Sequence, residues 1–129
     1  MTNHTFPYAN IEIRQDGAIV LRPMPKEEMD INDLHRAVGG YIEIVRPHTI
    51  TLLDKLGYRM IVNDEGAIRP EFKINVLASM LYCGNIYGDV VVGVFQDTPE
   101  PDVYNIPYLE AHKLVEYLQD MKGAIAAYD

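Results

Sequence analysis

The chain has 129 residues, 48% of them apolar, so it is long enough to bury a core as one domain. Its 19 carboxylates against 11 Lys and Arg give a formal charge of −8, which disfavours ordinary nucleic-acid binding and attachment to an anionic membrane. The single Cys83 excludes an intramolecular disulfide, as suits a reducing cytoplasm. The first residues do not resemble a signal peptide, and no apolar run approaches the roughly 20 residues that span a bilayer. We therefore expect a cytoplasmic protein.

The segment over residues 11–23 predicts a β-hairpin. The sequences IEIRQ and AIVLR flank Asp16 and Gly17, a dipeptide typical of a two-residue type I′ turn. A loop of that length places Ile11 opposite Arg22 and leaves one face of the hairpin mostly apolar.

A short amphipathic helix is predicted after the Pro-rich, acidic connection that follows. Asp30 is a typical N-cap residue, and Gly39 is a typical residue to end the helix. Three apolar residues lie on one stripe between them: Ile31, Leu34 and Val38. Alternation in the next segment, YIEIVR, predicts a strand with one buried face.

A second hairpin is predicted after Pro47, because HTITLL and YRMIVN are both rich in β-forming residues and DKLG separates them. The sequence DEG at residues 64–66 then predicts a turn. Residues 74–83 predict a helix with Asn75 as its cap and Gly84 at its end. Four side chains of this helix are expected to face inward: Val76, Leu77, Met80 and Leu81.

The remaining segments predict a covered sheet. DVVVGVF is apolar on both faces, which is typical of a central strand. A Pro-rich connection over residues 98–107 leads into a helix from Asn105 to about Ala127, which is expected to pack on the same sheet. Its apolar residues have helical spacing: Ala111, Leu114, Val115, Leu118, Met121 and Ile125. We predict one α+β domain over residues 1–129, with a mixed, largely antiparallel sheet, helices packed on one face and a C-terminal amphipathic helix.

Motifs for catalysis and metal binding do not occur in the sequence. The four histidines lack HExxH spacing, one cysteine cannot form CxxC, and GxSxG, Walker A and GxGxxG are missing. Cys83 ends an apolar helical run, which favours a buried packing residue over a nucleophile. Asp64 and Glu65 could divide acid and base roles, but adjacent turn residues are usually solvated. We expect no metal and no cofactor, and a binding protein more than an enzyme.

Seven residues are candidates for binding a ligand. The tyrosines offer flat apolar faces for a base, the arginines offer bidentate contacts to an anion, the asparagine begins a helix whose N–H groups could lie beside that anion, and the glutamate could accept from ribose hydroxyls. Alternatively, the arginines are solvated, the asparagine is a plain cap, the glutamate faces solvent, and the tyrosines cap the core edge. The seven are Tyr41, Glu43, Arg46, Arg59, Arg69, Asn75 and Tyr82.

Four short motifs over about half of the chain carry a resemblance. They are GGYIE at residues 39–43, DEG at 64–66, NVLA at 75–78 and GDVVV at 88–92. In these motifs the chain resembles a family of small phage, prophage and plasmid proteins that is known only as a domain of unknown function. The resemblance brings no activity, but it implies a phage context and hence the cytoplasm of a host cell.

Small phage proteins often counter host defences, so the resemblance and the seven candidate residues together suggest a function. We expect a non-enzymatic accessory protein that binds and sequesters a small nucleotide-like ligand to counter host defence signalling. Two alternatives remain: an acidic adaptor or inhibitor that binds a host protein, supported by KEEMDIND, and a hydrolase of a nucleotide-like ligand. Apolar hairpin edges and the C-terminal helix also predict a homo-oligomer.

Overall fold

A computed structural model describes residues 6–98 and 102–127. The fold is α+β, as predicted, with a seven-stranded sheet and four helices. The strands are β1 (Tyr8–Ile13), β2 (Ile19–Met24), β3 (Ile42–Val45), β4 (Tyr58–Asn63), β5 (Val90–Gln96), β6 (Asp102–Tyr104) and β7 (Ile106–Pro107). The helices are α1 (Ile31–Val38), α2 (Thr51–Lys55), α3 (Val76–Tyr82) and α4 (Tyr108–Ala126).

The sheet has the order β2-β1-β5-β4-β3, and every pair of described strands is antiparallel. The short strands β6 and β7 pair with β5 and β1 respectively. Strand β5 lies at the centre between β1 and β4, and its residues 90–93 are buried. The central-strand prediction from DVVVGVF is therefore confirmed.

The main core lies between the sheet and α4. Alternate residues of β1 and β5, such as Ile11 and Val92, pack there against Leu114 and Leu118 of α4, and all four are buried. The C-terminal helix thus packs on the sheet, as predicted.

Helix α1 packs on the opposite face of the sheet and forms a smaller cluster, which departs from the expectation that the helices pack on one face. Its Leu34 and Val38 contact Ile61 of β4, Val91 of β5 and Val103 of β6. Because α1 lies over β3, β4 and β5, it leaves an open cleft beside it, above β1 and β2.

The first hairpin has a three-residue loop, so the predicted register is wrong by one residue. Arg14 closes the loop by donating its N–H to the Ala18 carbonyl at 2.8 Å, while Gly17 takes a positive φ of 96°. Gln15 does not pair across the loop because its N–H donates to Asp89 Oδ1 and its Oε1 accepts from the Lys73 N–H.

The shifted register moves one charged side chain to the other face of the hairpin. Ile11 lies opposite Leu21, and Arg22 lies opposite Asn10. Since successive strand residues point to opposite faces, Arg22 lies on the α1 side of the sheet and not among the apolar residues.

The predicted second hairpin is also wrong. Helix α2 replaces its first strand and buries Leu53 in the main core. Strand β4 instead pairs with β3 on one side and β5 on the other. Both edges of β4 therefore pair with strands from which a helix separates it in sequence. No edge of β4 remains for a strand formed by the HTITLL segment.

Helices α1 and α3 begin at their predicted caps. Asp30 Oδ1 accepts from the Asn32 N–H at 2.8 Å, and Asn75 Oδ1 accepts from the Ala78 N–H at 3.2 Å. Gly39 ends α1 with a φ of 80°.

Several side chains of these helices depart from the prediction. Leu77 and Leu81 are buried, but Val76 and Met80 are exposed because only one stripe of so short a helix faces the sheet. The residue that ends α3 is Cys83, which has a φ of 66° and is exposed. The expectations of a buried cysteine and of Gly84 as the terminator are therefore wrong. In α1, Ile31 is likewise exposed.

Candidate functional site

The seven predicted ligand-binding residues do not form one site. Two of the arginines hold the same carboxylate: Arg46 donates to Asp54 Oδ1 and Oδ2, both at 2.8 Å, and Arg59 Nη1 lies 3.2 Å from Asp54 Oδ1. The hydrogen bond from Arg46 lowers the pKa of Asp54 below its ordinary value. Arg59 also donates to the Tyr58 carbonyl at 2.7 Å. Much of the hydrogen-bonding capacity of these two cations is used inside the fold.

Arg69 and Tyr41 lie elsewhere. Arg69 pairs with Glu71, which lowers the pKa of that carboxyl, and its guanidinium lies 5.2 Å from the centre of the Phe72 ring. Tyr41 is exposed and meets His35 edge-on, with 5.9 Å between ring centres. Neither residue lines the groove that holds Glu43 and Tyr82.

Asn75 uses its side chain to join three parts of the fold. It is only 1% exposed, and besides capping α3 it donates from Nδ2 to the carbonyls of Ile13 and Gly88, both at 2.9 Å. An amide nitrogen has two donor hydrogens, and both are used. Asn75 therefore has no donor left for a ligand.

Glu43 and Tyr82 line one shallow groove together with Asp64, Asn85 and Tyr87. Its volume is about 140 Å³, whereas pockets for small molecules usually measure about 300–1,000 Å³. The groove is too small to enclose a nucleotide.

A larger polar cleft lies between α1 and the β1–β2 hairpin, with a volume of about 380 Å³. We call it the Asn10 cleft. Its lining residues are Asn10, Glu12, Arg22, Met24, Asp33, Leu34, Arg36, Ala37 and Val91. The position follows from the register, because Asn10 pairs with Arg22, and Glu12 pairs with Val91 under α1.

Glu12 is a buried carboxylate held by two arginines. It is 3% exposed; its Oε1 accepts from Arg14 Nε at 2.6 Å, and its Oε2 lies 2.9 Å from Arg22 Nη2. Each carboxylate oxygen has a charged donor, as burial of an ionised group requires. The hydrogen bond to Glu12 also raises the pKa of Arg14. The carboxylates of Asp89 and Asp16 also act on Arg14, so Arg22 is the guanidinium of this cluster that lines the cleft.

Asn10 has an acceptor without a donor. The Nδ2 of Asn105 donates to the carbonyls of Lys26 (3.0 Å) and Glu28 (3.3 Å), so the Oδ1 of Asn105 must accept from Asn10 Nδ2, at 3.2 Å. This fixes the orientation of both amides. Asn10 is 7% exposed, and its Oδ1 accepts no hydrogen bond from any group in the described residues.

An unpaired buried acceptor of this kind costs about 1–3 kcal/mol. Such groups are rare in folded proteins and call for an explanation. Asn10 lines the cleft, and a small movement of the neighbouring side chains would expose this buried oxygen to an N–H or O–H group of a bound molecule.

The rest of the cleft combines apolar walls with one ion pair. Met24, Leu34 and Val91 provide apolar surface, while Arg36 and Asp33 of α1 pair with each other where both are exposed. The cleft thus has apolar walls, with the Arg22 guanidinium and the Asn10 side chain on the side formed by the sheet.

Neither Asn10 nor Glu12 was among the seven predicted residues. Their signal lies in β1, where two polar residues alternate with the buried Ala9, Ile11 and Ile13. The predicted two-residue turn places Arg22 on the apolar face, so the sequence did not indicate that Arg22 lies beside Asn10 and Glu12.

No family model, curated protein or solved structure matches this chain, so the resemblance to phage proteins stays a prediction. In residues 6–98 and 102–127, no helix is both long and apolar enough to cross a membrane. The same residues hold no group of three or more His, Cys, Asp or Glu side chains placed to bind a metal ion.

Proposed function

We propose that the protein binds and sequesters a small nucleotide-like ligand in the Asn10 cleft without converting it. The observation that carries the proposal is the buried, unpartnered Oδ1 of Asn10 beside the Glu12–Arg22 pair. In the phage context that the sequence resemblance suggests, such binding would remove a signalling molecule of the host defence.

The base of a nucleotide fits the acceptor and the walls of the cleft. Adenine, cytosine and guanine carry an amino group, which can donate to Asn10 Oδ1. Their flat rings can pack on the apolar side chains of Met24, Leu34 and Val91. The Asn10 side chain would then discriminate against analogues that lack a donor, because its oxygen stays unpaired with them.

The phosphate fits Arg22. This side chain is 46% exposed, and a guanidinium has five N–H donors, so the contact with Glu12 leaves others for an anion. The exposed Arg22 guanidinium favours a bound phosphate, whereas the net charge of −8 opposes highly charged molecules. A ligand with one or two phosphate charges is therefore favoured over a triphosphate.

Binding is favoured over hydrolysis by the groups in the cleft. Both oxygens of Glu12 are engaged by arginines, so this carboxylate is poorly placed to act as a general base. The side chains that line the cleft include no Ser, Thr, Cys or His, and the remaining carboxylate, Asp33, pairs with Arg36.

A second candidate is a protein partner, the adaptor or inhibitor alternative. An apolar groove of about 440 Å³ lies between α2 and α4, with Leu52, Leu56 and Tyr117 exposed on it. Exposed apolar clusters of this kind are typical of protein-binding surfaces.

Calorimetry with linear and cyclic nucleotides and ADP-ribose derivatives tests the proposal. We expect micromolar binding of at least one amino-bearing compound. Arg22→Gln should weaken it by about 1.5–3 kcal/mol, roughly ten- to a hundredfold.

The matched control is Arg46→Gln, which removes an arginine that pairs with Asp54 outside the cleft. It should bind like the wild type. If Arg46→Gln weakens binding and Arg22→Gln does not, the ligand lies outside the Asn10 cleft. If the wild type binds no member of the panel, the protein-partner hypothesis replaces the nucleotide-binding hypothesis.

A further inference from the structure

The two edges of the sheet are protected to different degrees. Strand β2 carries Arg22 and Pro23, and Pro25 follows it; proline and charged residues commonly block pairing with another chain. Strand β3 forms the other end of the strand order and consists of Ile-Glu-Ile-Val. It has no proline and one charged residue, so its edge is open to a further strand.

The backbone of β3 presents its free groups at two residues. The Asp64 N–H donates to the Tyr41 carbonyl at 3.1 Å, which makes residues 41, 43 and 45 the ones that bond to β4 in this antiparallel pair. The N–H and C=O groups of Ile42 and Ile44 therefore point away from β4. In the described part of the chain neither residue has a backbone partner on that outer side.

Apolar side chains accompany this edge on the α1 face. Ile44 is 46% exposed, Ile31 at the start of α1 is also exposed, and both line a groove of about 310 Å³ with Ile42. An added strand would cover Ile44 and extend this apolar strip.

We propose that the added strand is β3 of a second copy of this chain, running antiparallel with Ile44 opposite Ile44 of the second copy. Each Ile44 then exchanges both backbone hydrogen bonds with its counterpart, and the Ile42 carbonyl accepts from the Arg46 N–H of the second copy. The Arg46 carbonyl already accepts from the His48 N–H of its own chain at 2.9 Å. The proposal is independent of the ligand in the Asn10 cleft.

The occupant follows from the two edges, because a second copy offers the same unprotected β3 edge, whereas Pro23 blocks its β2 edge. The charge of Glu43 then selects the register, since Arg46 already pairs with Asp54 in its own chain. The Ile44-centred register sets Glu43 opposite Val45 of the second copy and Ile42 opposite its Arg46, so no two like charges stand directly opposite each other. A shift of two residues would set Glu43 opposite Glu43, and like charges in directly opposite positions are destabilising.

Disulfide trapping tests this register. Hydrogen-bonded antiparallel partners have Cα atoms about 5.5 Å apart, which matches disulfide geometry. In a Cys83→Ser background, Ile44→Cys should oxidise to a covalent dimer, whereas Glu43→Cys and Ile68→Cys, at an exposed residue of the turn Gly66–Ile68, should not. Preferential cross-linking through Glu43→Cys would overturn the register.

Sedimentation of the unmodified chain tests the interface itself. The wild type should sediment as a dimer, and Ile44→Lys should weaken dimerisation at least about tenfold, because it sets two ammonium groups opposite each other. Ile68→Lys should leave the dimer intact, and circular dichroism should show all three proteins folded. A monomeric wild type, or a dimer that Ile44→Lys does not weaken, would overturn the proposal.

Discussion

Substituting Asn10 by leucine should have little effect on the free energy of unfolding, although the residue is more than nine-tenths buried. The substitution removes one hydrogen bond, from Asn10 Nδ2 to Asn105 Oδ1, and leaves the Asn105 oxygen unpaired, at a cost of about 1–3 kcal/mol. It also removes the unpaired Oδ1 of Asn10, which stabilises the folded state by a similar free energy. The two terms offset each other, so we expect a change within about 1 kcal/mol of zero.

The matched control is Asn75→Leu, at an asparagine of similar burial. Asn75 caps α3 and donates to two buried carbonyls, so its loss removes three hydrogen bonds at about 1 kcal/mol each and leaves the partners unpaired. We expect at least about 3 kcal/mol of destabilisation.

Urea unfolding of the two variants, with the wild type as reference, measures the difference. Asn10→Leu should also abolish ligand binding, because the acceptor has gone. If Asn10→Leu destabilises the protein as much as Asn75→Leu does, Asn10 is a fully satisfied structural residue and the reasoning is wrong.

Three further predictions concern the fold. Val92→Asp places an unpaired charge in the main core and should cost several kcal/mol; a fully folded, soluble variant would contradict the packing of β5. Leu118→Ala on α4 should cost about 2–5 kcal/mol, and Leu109→Ala, at an exposed position of the same helix, under about 1 kcal/mol, both read from thermal melts. Because Arg46 depresses the folded-state pKa of Asp54, the ionised carboxylate stabilises the fold above its ordinary pKa of about 3.9, and this contribution is lost as the pH falls through the lower folded-state pKa. Urea titrations of wild type and Asp54→Asn should therefore converge below about pH 4, and a constant difference between them would contradict the ion pair.

Local sequence signals predicted the elements that depend on local chemistry. Asp30 and Asn75 each supply a cap oxygen to a helix start, and Gly39 takes the left-handed conformation that ends α1. The apolar run of β5 indicated a strand covered on both faces, and the structure confirms it.

Elements decided by distant partners were not predictable in this way. The TLLDK segment forms α2 because β3 and β5 already flank β4. The hairpin register depends on Gln15, whose side chain binds the Lys73 N–H 58 residues away. That one-residue shift also hid the Asn10 cleft, because it decides whether Arg22 lies on the apolar face or beside Asn10.

The predicted ligand residues illustrate the same limit. Arg46, Arg59 and Asn75 are candidates because of what their side chains can bind. The sequence does not show whether these side chains already form hydrogen bonds within the fold. Arg46 and Arg59 donate to Asp54, and Asn75 donates to the carbonyls of Ile13 and Gly88. The residues of the Asn10 cleft are instead identified from the structure, through the unpaired Oδ1 of Asn10.

Native mass spectrometry of the protein purified from infected, defence-active cells shows whether the Asn10 cleft holds a nucleotide derivative. We expect the wild type and Arg46→Gln to retain a small molecule with the mass of a nucleotide derivative and Arg22→Gln to lose it. Retention of a host protein in place of a small molecule, or an equal adduct on Arg22→Gln, would contradict the assignment of the Asn10 cleft as a nucleotide-binding site.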